Sequence, residues 1–341
     1  MDAAMESDEI LFEQRGKLGL ITLNKPESLN ALTYGMVQKM DVQLDAWAED
    51  DSITVVAIQG AGDKAFAAGG DIRWLYDNGQ GGKTGERNFQ FFADEYRLNT
   101  KIKRYPKPYV GIMDGIVMGG GVGVSIHGSL RIATERTMFA MPETGIGLFP
   151  DVGATYFLPR LPGETGMWLG LTGARIKGDD ALSASLCNIS LTTSEIDDFL
   201  DDFDPIGHGA GQVYPPLEHQ AEIDHCFAAT SVEAILDRLS AGTEWAAKQR
   251  DIILSKSPTS TRIAFRQIRK GANLSFEDCM KLEYRLARYC MTHPDFYEGV
   301  RAVILDKDNS PKWSPATLEE ATEDFVAEAF ADLGDEELEL P

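Results

Sequence analysis

Apolar residues gather in short β-rich runs at 10–14, 18–23, 53–59, 108–113, 130–134 and 138–140, alternating with longer stretches of helical spacing at 33–50, 86–104 and 120–128. That alternation predicts an α/β architecture. After Leu161 the rhythm changes. Segments 164–186, 193–203, 219–239, 243–256, 258–271, 275–291 and 294–304 all read as helical, separated by turn-rich stretches such as DPIGHGAGQVYPP at 204–216. One helix start is marked in detail. Ser275, with Asp278 three residues on, opens a run whose apolar positions Met280, Leu282, Leu286 and Tyr289 lie near helical spacing. The pattern divides the chain softly near 205–216, into residues 1–205 and a mainly helical region 206–341. No solenoid-class repeat is visible.

Composition narrows the class. The chain has 341 residues, 43% of them hydrophobic and 25% charged, which describes a globular protein with ample core. The uncharged run from Gly115 to Leu130 is glycine-rich and falls short of the ~20 apolar residues a bilayer crossing needs, so no membrane span is expected. The N-terminus MDAAMESDEI has neither a basic start nor an apolar stretch, and a cytoplasmic protein is the expectation. Cys187, Cys226, Cys279 and Cys290 are scattered without a CxxC pair, which predicts reduced, buried thiols rather than disulfides or a zinc site. Net charge is −22, and residues 313–341 contribute −10 of it through ten acids and no Lys or Arg. Such a field disfavours nucleic acid and anionic membrane as partners. The tail itself reads as a solvated helix with a frayed terminus and no chemistry.

Several familiar motifs fail on register. NGQGGKT at 78–84 imitates a phosphate loop, but the first glycine of that pattern would fall at Asp77. GGGVGVSIHG at 119–128 misses the dinucleotide fingerprint at Val124 and the nucleophile elbow at His127. Ser125 and His127, two apart on an expected helix, point about 200° apart and cannot pair as nucleophile and base, so His127 reads as structural. No HExxH, paired-His or Asp-rich loop appears, and no metal is predicted.

What survives is a pair of glycine clusters, AFAAGGDIR at 65–73 and MGGGVG at 118–123, followed by MFAMPETGIGLFPD at 138–151 with Glu143 and Asp151. Glycine clusters of this kind aim backbone N–H groups at an oxyanion, because glycine allows the dihedrals and the close approach required. With two carboxylates downstream, an acyl-transfer or thioester site is indicated. ITLNKPESLNAL at 21–32, AFAAGGDI at 65–72, KPYVGIMDGIVMGGGVG at 107–123 and MPETGIGLFPDVGATYFLPRL at 141–161 resemble the enoyl-CoA hydratase/isomerase (crotonase) superfamily. Within it the chain looks most like the hydrolases that cleave 3-hydroxyisobutyryl-CoA in valine breakdown. That closer likeness continues through EYRLN at 95–99, SPTS at 257–260 and DFYEGVRAVILDKDNSPKW at 295–313.

The resemblance implies a crotonase-like spiral of ββα repeats over residues 1–205, holding a CoA-thioester site. A helical C-terminal region would follow, with assembly as trimers or dimers of trimers. It implies an oxyanion hole from the N–H groups of Gly70 and Gly120, where one donor is worth ~3 kcal/mol in the transition state. A helix starting near Gly120 would add its positive dipole end. Hydratases of the superfamily use two glutamates. One has its counterpart in Glu143, whereas the position of the other, three residues after the central glycine of the GGG run, is Gly123. The resemblance points to Asp151 as the replacement carboxylate and to Glu95 as a contact for the acyl hydroxyl. Glu143 would attack the thioester or activate water, and Asp151 would position the water or the substrate hydroxyl. Substrate contacts are thus expected at Glu95, Gly120, Glu143 and Asp151, and coenzyme A contacts at Lys25 and Ala68. Arg73 and Lys307 are further cations for the phosphates. Coenzyme A enters as part of the substrate, with no cofactor. The rival readings are an enoyl-CoA hydratase or isomerase with relocated acid and base, and a non-catalytic scaffold. 3-Hydroxypropionyl-CoA is a second candidate substrate.

Overall fold

Strands buried along nearly their whole length form the centre of the fold, as strands covered on both faces must. A computed structural model describes residues 8–79, 85–202 and 214–340. The strands are β1 (Ile10–Arg15), β2 (Leu18–Leu23), β3 (Val55–Gly60), β4 (Ala65–Ala67), β5 (Tyr109–Met113), β6 (Ile116–Met118), β7 (Leu130–Ala133), β8 (Met138–Ala140), β9 (Ile176–Lys177) and β10 (Ile189–Ser190). They form two sheets, ordered β1-β2-β3-β5-β7-β10 and β4-β6-β8-β9. The larger sheet is parallel after its first hairpin, and the smaller is parallel except at β9.

The pairs β3/β4, β5/β6 and β7/β8 each send one strand to either sheet before the chain turns helical and returns. This is the expected ββα turn, since parallel neighbours require a crossover. Gly115 makes one of the switches between sheets. Its φ of +93° is left-handed, and a Cβ there would lie 2.7 Å from Lys64 O.

The helices are α1 (Tyr34–Glu49), α2 (Ile72–Gly79), α3 (Glu86–Lys103), α4 (Gly120–Gly123), α5 (Ala154–Phe157), α6 (Thr165–Thr172), α7 (Asp180–Ser183), α8 (Ile196–Asp202), α9 (Gln220–Phe227), α10 (Val232–Ser240), α11 (Glu244–Leu254), α12 (Pro258–Gly271), α13 (Phe276–Thr292), α14 (Pro294–Val300) and α15 (Glu323–Ala327). Long amphipathic runs form as expected, and Ser275 caps α13 by accepting from Asp278 N. A hydrophobic cluster runs from Ile10 through the sheets to Phe330 and Leu338. A second cluster lies where Phe199 and Leu200 of α8 cover the outer face of the larger sheet.

Several expectations fail for local reasons. The helix expected over 164–186 ends at Gly173, whose φ of +66° forms a left-handed cap, and β9 and α7 follow. The one expected over 219–239 is two helices, because Ser231 caps a new start by accepting from Ala234 N. Over 120–128 only one helical turn forms before the chain breaks into turns. β4, β6 and α2 were not anticipated, and β4 and β6 are three-residue strands too short to show a period.

The acidic tail is not a frayed, solvated end. Val326, Ala329, Phe330 and Leu338 are buried, and Asp332, Glu336 and Glu337 pair with Arg285 and Arg288 on α13. The N-terminal decapeptide up to residue 7, most of NGQGGKT and residues 203–213 of the expected boundary lie outside the described residues. Among the described residues no helix is long and apolar enough to cross a membrane. The four cysteines are free and buried.

Candidate active site

Both glycine clusters sit where a strand of the smaller sheet ends. β4 runs out into Ala68-Gly69-Gly70, and Gly70 bridges to Leu32. That bridge uses Gly69 O and Asp71 N, leaving the Gly70 N–H outside the pairing. β6 runs out into Gly119, the N-cap of α4, so the Gly120 N–H belongs to the helix start that has no intrahelical acceptor. The two come close together, for a Cβ on Gly120 would lie 3.3 Å from Gly70 N. Since α4 is a single turn, the site rests on these two N–H groups rather than on a long helix dipole.

They open onto a cavity of about 350 Å³ lined by Ala68, Gly70, Glu95, Gly120, Glu143 and Asp151, with Leu75, Phe91, Ile146 and Leu148 among its apolar walls. Lys256, Val303 and Ile304 join from the helical region, so both sides of the expected boundary build the site. The carboxylates arrive from separate elements: Glu95 from α3, Glu143 from the 3-10 turn Glu143–Ile146, and Asp151 from the loop before α5. All three are buried. Asp151 Oδ2 accepts from the Tyr96 hydroxyl at 2.9 Å, whereas Glu95 Oε1 and Glu143 Oε2 have no hydrogen-bond partner among the described residues. Around the cavity the glycines admit these groups. A Cβ on Gly120 would meet Glu95 Oε1 at 2.8 Å, and one on Gly119 would meet Glu143 Oε1 at 3.4 Å.

Gly123, where a hydratase glutamate would stand, has no room for a side chain. A Cβ there would lie 2.7 Å from Val152 Cβ and 2.8 Å from Asn99 Nδ2.

Burial dominates the electrostatics. It raises Glu143 well above the ordinary carboxylate range, Asp151 adds to that by repulsion, and Lys256 acts in the opposite sense. Burial likewise raises Glu95, with Asp151 and Glu283 repelling it. It pushes Asp151 up to about 7 against the Tyr96 hydrogen bond, and Glu283 up to about 8 against two backbone hydrogen bonds. So many carboxylates in one dry cluster cannot all ionise together, which leaves the site with protons to exchange. Desolvation also pulls Lys256 below its usual value.

Of the residues predicted from sequence, Ala68, Gly70, Glu95, Gly120, Glu143 and Asp151 line one cavity. Lys25 is not among the lining residues. It pairs with Glu9 at 2.5 Å, while Arg73 and Lys307 are exposed. His127 is structural as expected. Burial drives its pKa down to about 3, and the neutral ring donates from Nε2 to Val152 O at 2.7 Å. Sequence reading missed Tyr96, Lys256 and Glu283. Glu283 had a signal, because a carboxylate three residues from both Met280 and Leu286 falls on the buried stripe of α13. Among the described residues no cluster of His, Cys, Asp and Glu is arranged to hold a metal ion.

The sequence model of the enoyl-CoA hydratase/isomerase family matches residues 18–330. A zebrafish (Danio rerio) protein named 3-hydroxyisobutyryl-CoA hydrolase, mitochondrial, is 46% identical over 100% of this chain and 94% of its own length. The human protein of that name is 42% identical over 98% and 91%. Two solved structures carry other titles. A carnitinyl-CoA dehydratase from Mycobacterium thermoresistibile superposes with a TM-score of 0.91 at 41% identity, covering 98% of this chain and 99% of its own. An enoyl-CoA hydratase from Rhodobacter sphaeroides gives 0.90 at 37%, covering 98% and 100%.

Proposed function

The chain belongs to the enoyl-CoA hydratase/isomerase family, and on that premise we propose that it hydrolyses 3-hydroxyacyl-CoA thioesters, 3-hydroxyisobutyryl-CoA first among them. The observation that carries this reading is the filled space at Gly123. The cavity offers two backbone donors, Glu143 and Asp151, but Val152 and Asn99 occupy the volume in which a hydratase's second glutamate would lie. Addition of water across a double bond needs one group for the water and another for the α-carbon proton. Thioester hydrolysis needs an oxyanion hole and one base or nucleophile.

In this scheme the thioester oxygen accepts from Gly70 and Gly120 N–H, where such a donor is worth ~3 kcal/mol in the transition state. Glu143, whose Oε2 has no partner among the described residues, attacks the acyl carbon or takes a proton from the attacking water. Asp151, oriented by Tyr96, holds the water or the substrate hydroxyl, and Glu95 Oε1 offers a buried oxygen to the 3-hydroxyl. Water supplies the hydroxyl of the acid product and the proton of the departing thiol as the C–S bond breaks. The cavity is the right size for a short acyl chain with part of the pantetheine arm. 3-Hydroxypropionyl-CoA fits the same description, and the names of the hydrolase relatives favour the valine-derived substrate.

The rival hydratase reading draws on the titles of the two superposed structures. The test is thiol release from 3-hydroxyisobutyryl-CoA, run beside loss of enoyl absorbance from crotonyl-CoA. We expect fast thiol release with negligible hydration, and a drop of at least a hundredfold in folded Glu143→Gln. Hydration without thiol release would overturn the proposal.

A further inference from the structure

The loop that presents Asp151 is pinned at nearly every residue by side chains from distant parts of the chain. Pro150 O accepts from Gln267 Nε2 on α12. Asp151 Oδ2 accepts from the Tyr96 hydroxyl on α3 at 2.9 Å. Val152 O accepts from His127 Nε2 at 2.7 Å. Gly153 N and Thr155 N then donate to Glu283 Oε2 and Oε1 on α13, at 2.7 and 2.8 Å. The backbone between them is strained. Val152 has a φ of +52°, a left-handed value that a β-branched residue rarely adopts, and Gly153 follows at +92°. The two successive left-handed residues make a tight turn closed by Ala154 N donating to Asp151 O at 2.9 Å, and the Glu283 carboxyl takes the N–H groups on either side of Ala154.

Glu283 is fully buried, spends both oxygens on this loop and does not line the cavity. An apolar side chain here would leave the Gly153 and Thr155 N–H groups buried without acceptors, whereas the Glu283 carboxyl satisfies both and, by wrapping a strained loop, fixes where Asp151 points.

We propose that Glu283 is the positioning residue of this site, holding the loop 150–155 through Gly153 and Thr155 N–H so that the Asp151 carboxylate faces the cavity. The proposal deepens the hydrolase reading and rests on it. It implies that the C-terminal helices, though remote in sequence, are part of the catalytic geometry. It also explains how a β-branched residue persists in the left-handed region: the bonds on either side of Val152 leave the loop no relaxed alternative.

The test is a double-mutant cycle on thiol release, with circular dichroism confirming folded protein at the assay temperature. Asp151→Asn is expected to cut kcat by a hundredfold or more. Glu283→Gln keeps the reach but places an amide against one N–H donor. It is expected to lower kcat about tenfold with KM within twofold, and to add nothing once Asp151 is already Asn. Glu283→Asp keeps the carboxyl group but shortens the reach, and should lose kcat likewise. Multiplicative losses in the double variant, or unchanged kcat in Glu283→Gln with only a lower melting temperature, would reduce Glu283 to a structural role and overturn the inference. Full activity in Asp151→Asn would instead overturn the role of Asp151 on which it stands. If Glu283→Gln does not fold, the cycle is run with Glu283→Asp, and multiplicative losses there overturn the inference in the same way.

Discussion

Lys256 shows how one residue can matter without touching a partner in the resting protein. Its ammonium makes no ion pair or hydrogen bond among the described residues, yet it lines the cavity and, together with a backbone hydrogen bond, favours Glu143 ionised against burial and Asp151. Ser257 N, donating to Thr144 O, fixes this end of α12 against the Glu143 turn. Replacing the cation by Met leaves only the backbone hydrogen bond to oppose burial and Asp151, so Glu143 should need a higher pH to ionise. For Lys256→Met the acid limb of the kcat/KM profile should move to higher pH, giving a loss at neutral pH that recovers as pH rises. An unmoved limb would show that the charge does not reach Glu143. The sequence displayed SPTS at 257–260 but not the neighbouring Lys256 as a site residue, because nothing local says that α12 begins beside a turn more than a hundred residues earlier.

At the scale of elements, the apolar residues of the tail decide its place and its charge does not. Its acids are the outer half of a docked strap. Phe330 lies buried with the Arg266 guanidinium 4.4 Å from its ring, and Leu338 is buried near the end. A buried aromatic contributes far more than a rim ion pair. Phe330→Ala should cost ~3 kcal/mol by urea denaturation, whereas Glu336→Ala, an exposed partner of Arg288, should cost under ~1 kcal/mol and less still at high salt. Equal effects would mean that charge rather than packing holds the strap. The strands and long helices were legible from periodicity, yet β4 and β6, which lead into Gly70 and Gly120, were not. Three residues cannot display a period of two.

For the whole molecule, the buried carboxylates link folding to pH. Asp151 rises from 3.8 to about 7 and Glu283 from 4.5 to about 8. The folded state therefore binds more protons than the unfolded chain between those values, so stability is greatest below the unfolded pKa values and falls as pH rises through the folded ones. The urea midpoint should decline from pH 5 to pH 8, and Asp151→Asn should flatten that decline. The general repulsion from a net charge of −22 is nearly common to both proteins, so the difference between them isolates the buried group. Parallel curves would refute the raised pKa of Asp151.

The sequence by itself determined the class of fold, the two glycine turns and the pair Glu143 and Asp151, and its resemblance to the family added Glu95 and the missing hydratase glutamate at Gly123 as expectations. These are carried by local chemistry: glycines where backbone must approach closely, apolar periods, and motifs whose order survives in one dimension. Only the tertiary structure decided that Gly123 is walled in by Val152 and Asn99, and that Lys25 pairs with Glu9 and does not line the cavity. It also decided that Lys256 enters the site and that Glu283, Gln267, His127 and Tyr96 converge on one loop. Those facts depend on which surfaces of distant elements meet, and that follows from packing the chain into one core rather than from any short stretch of it.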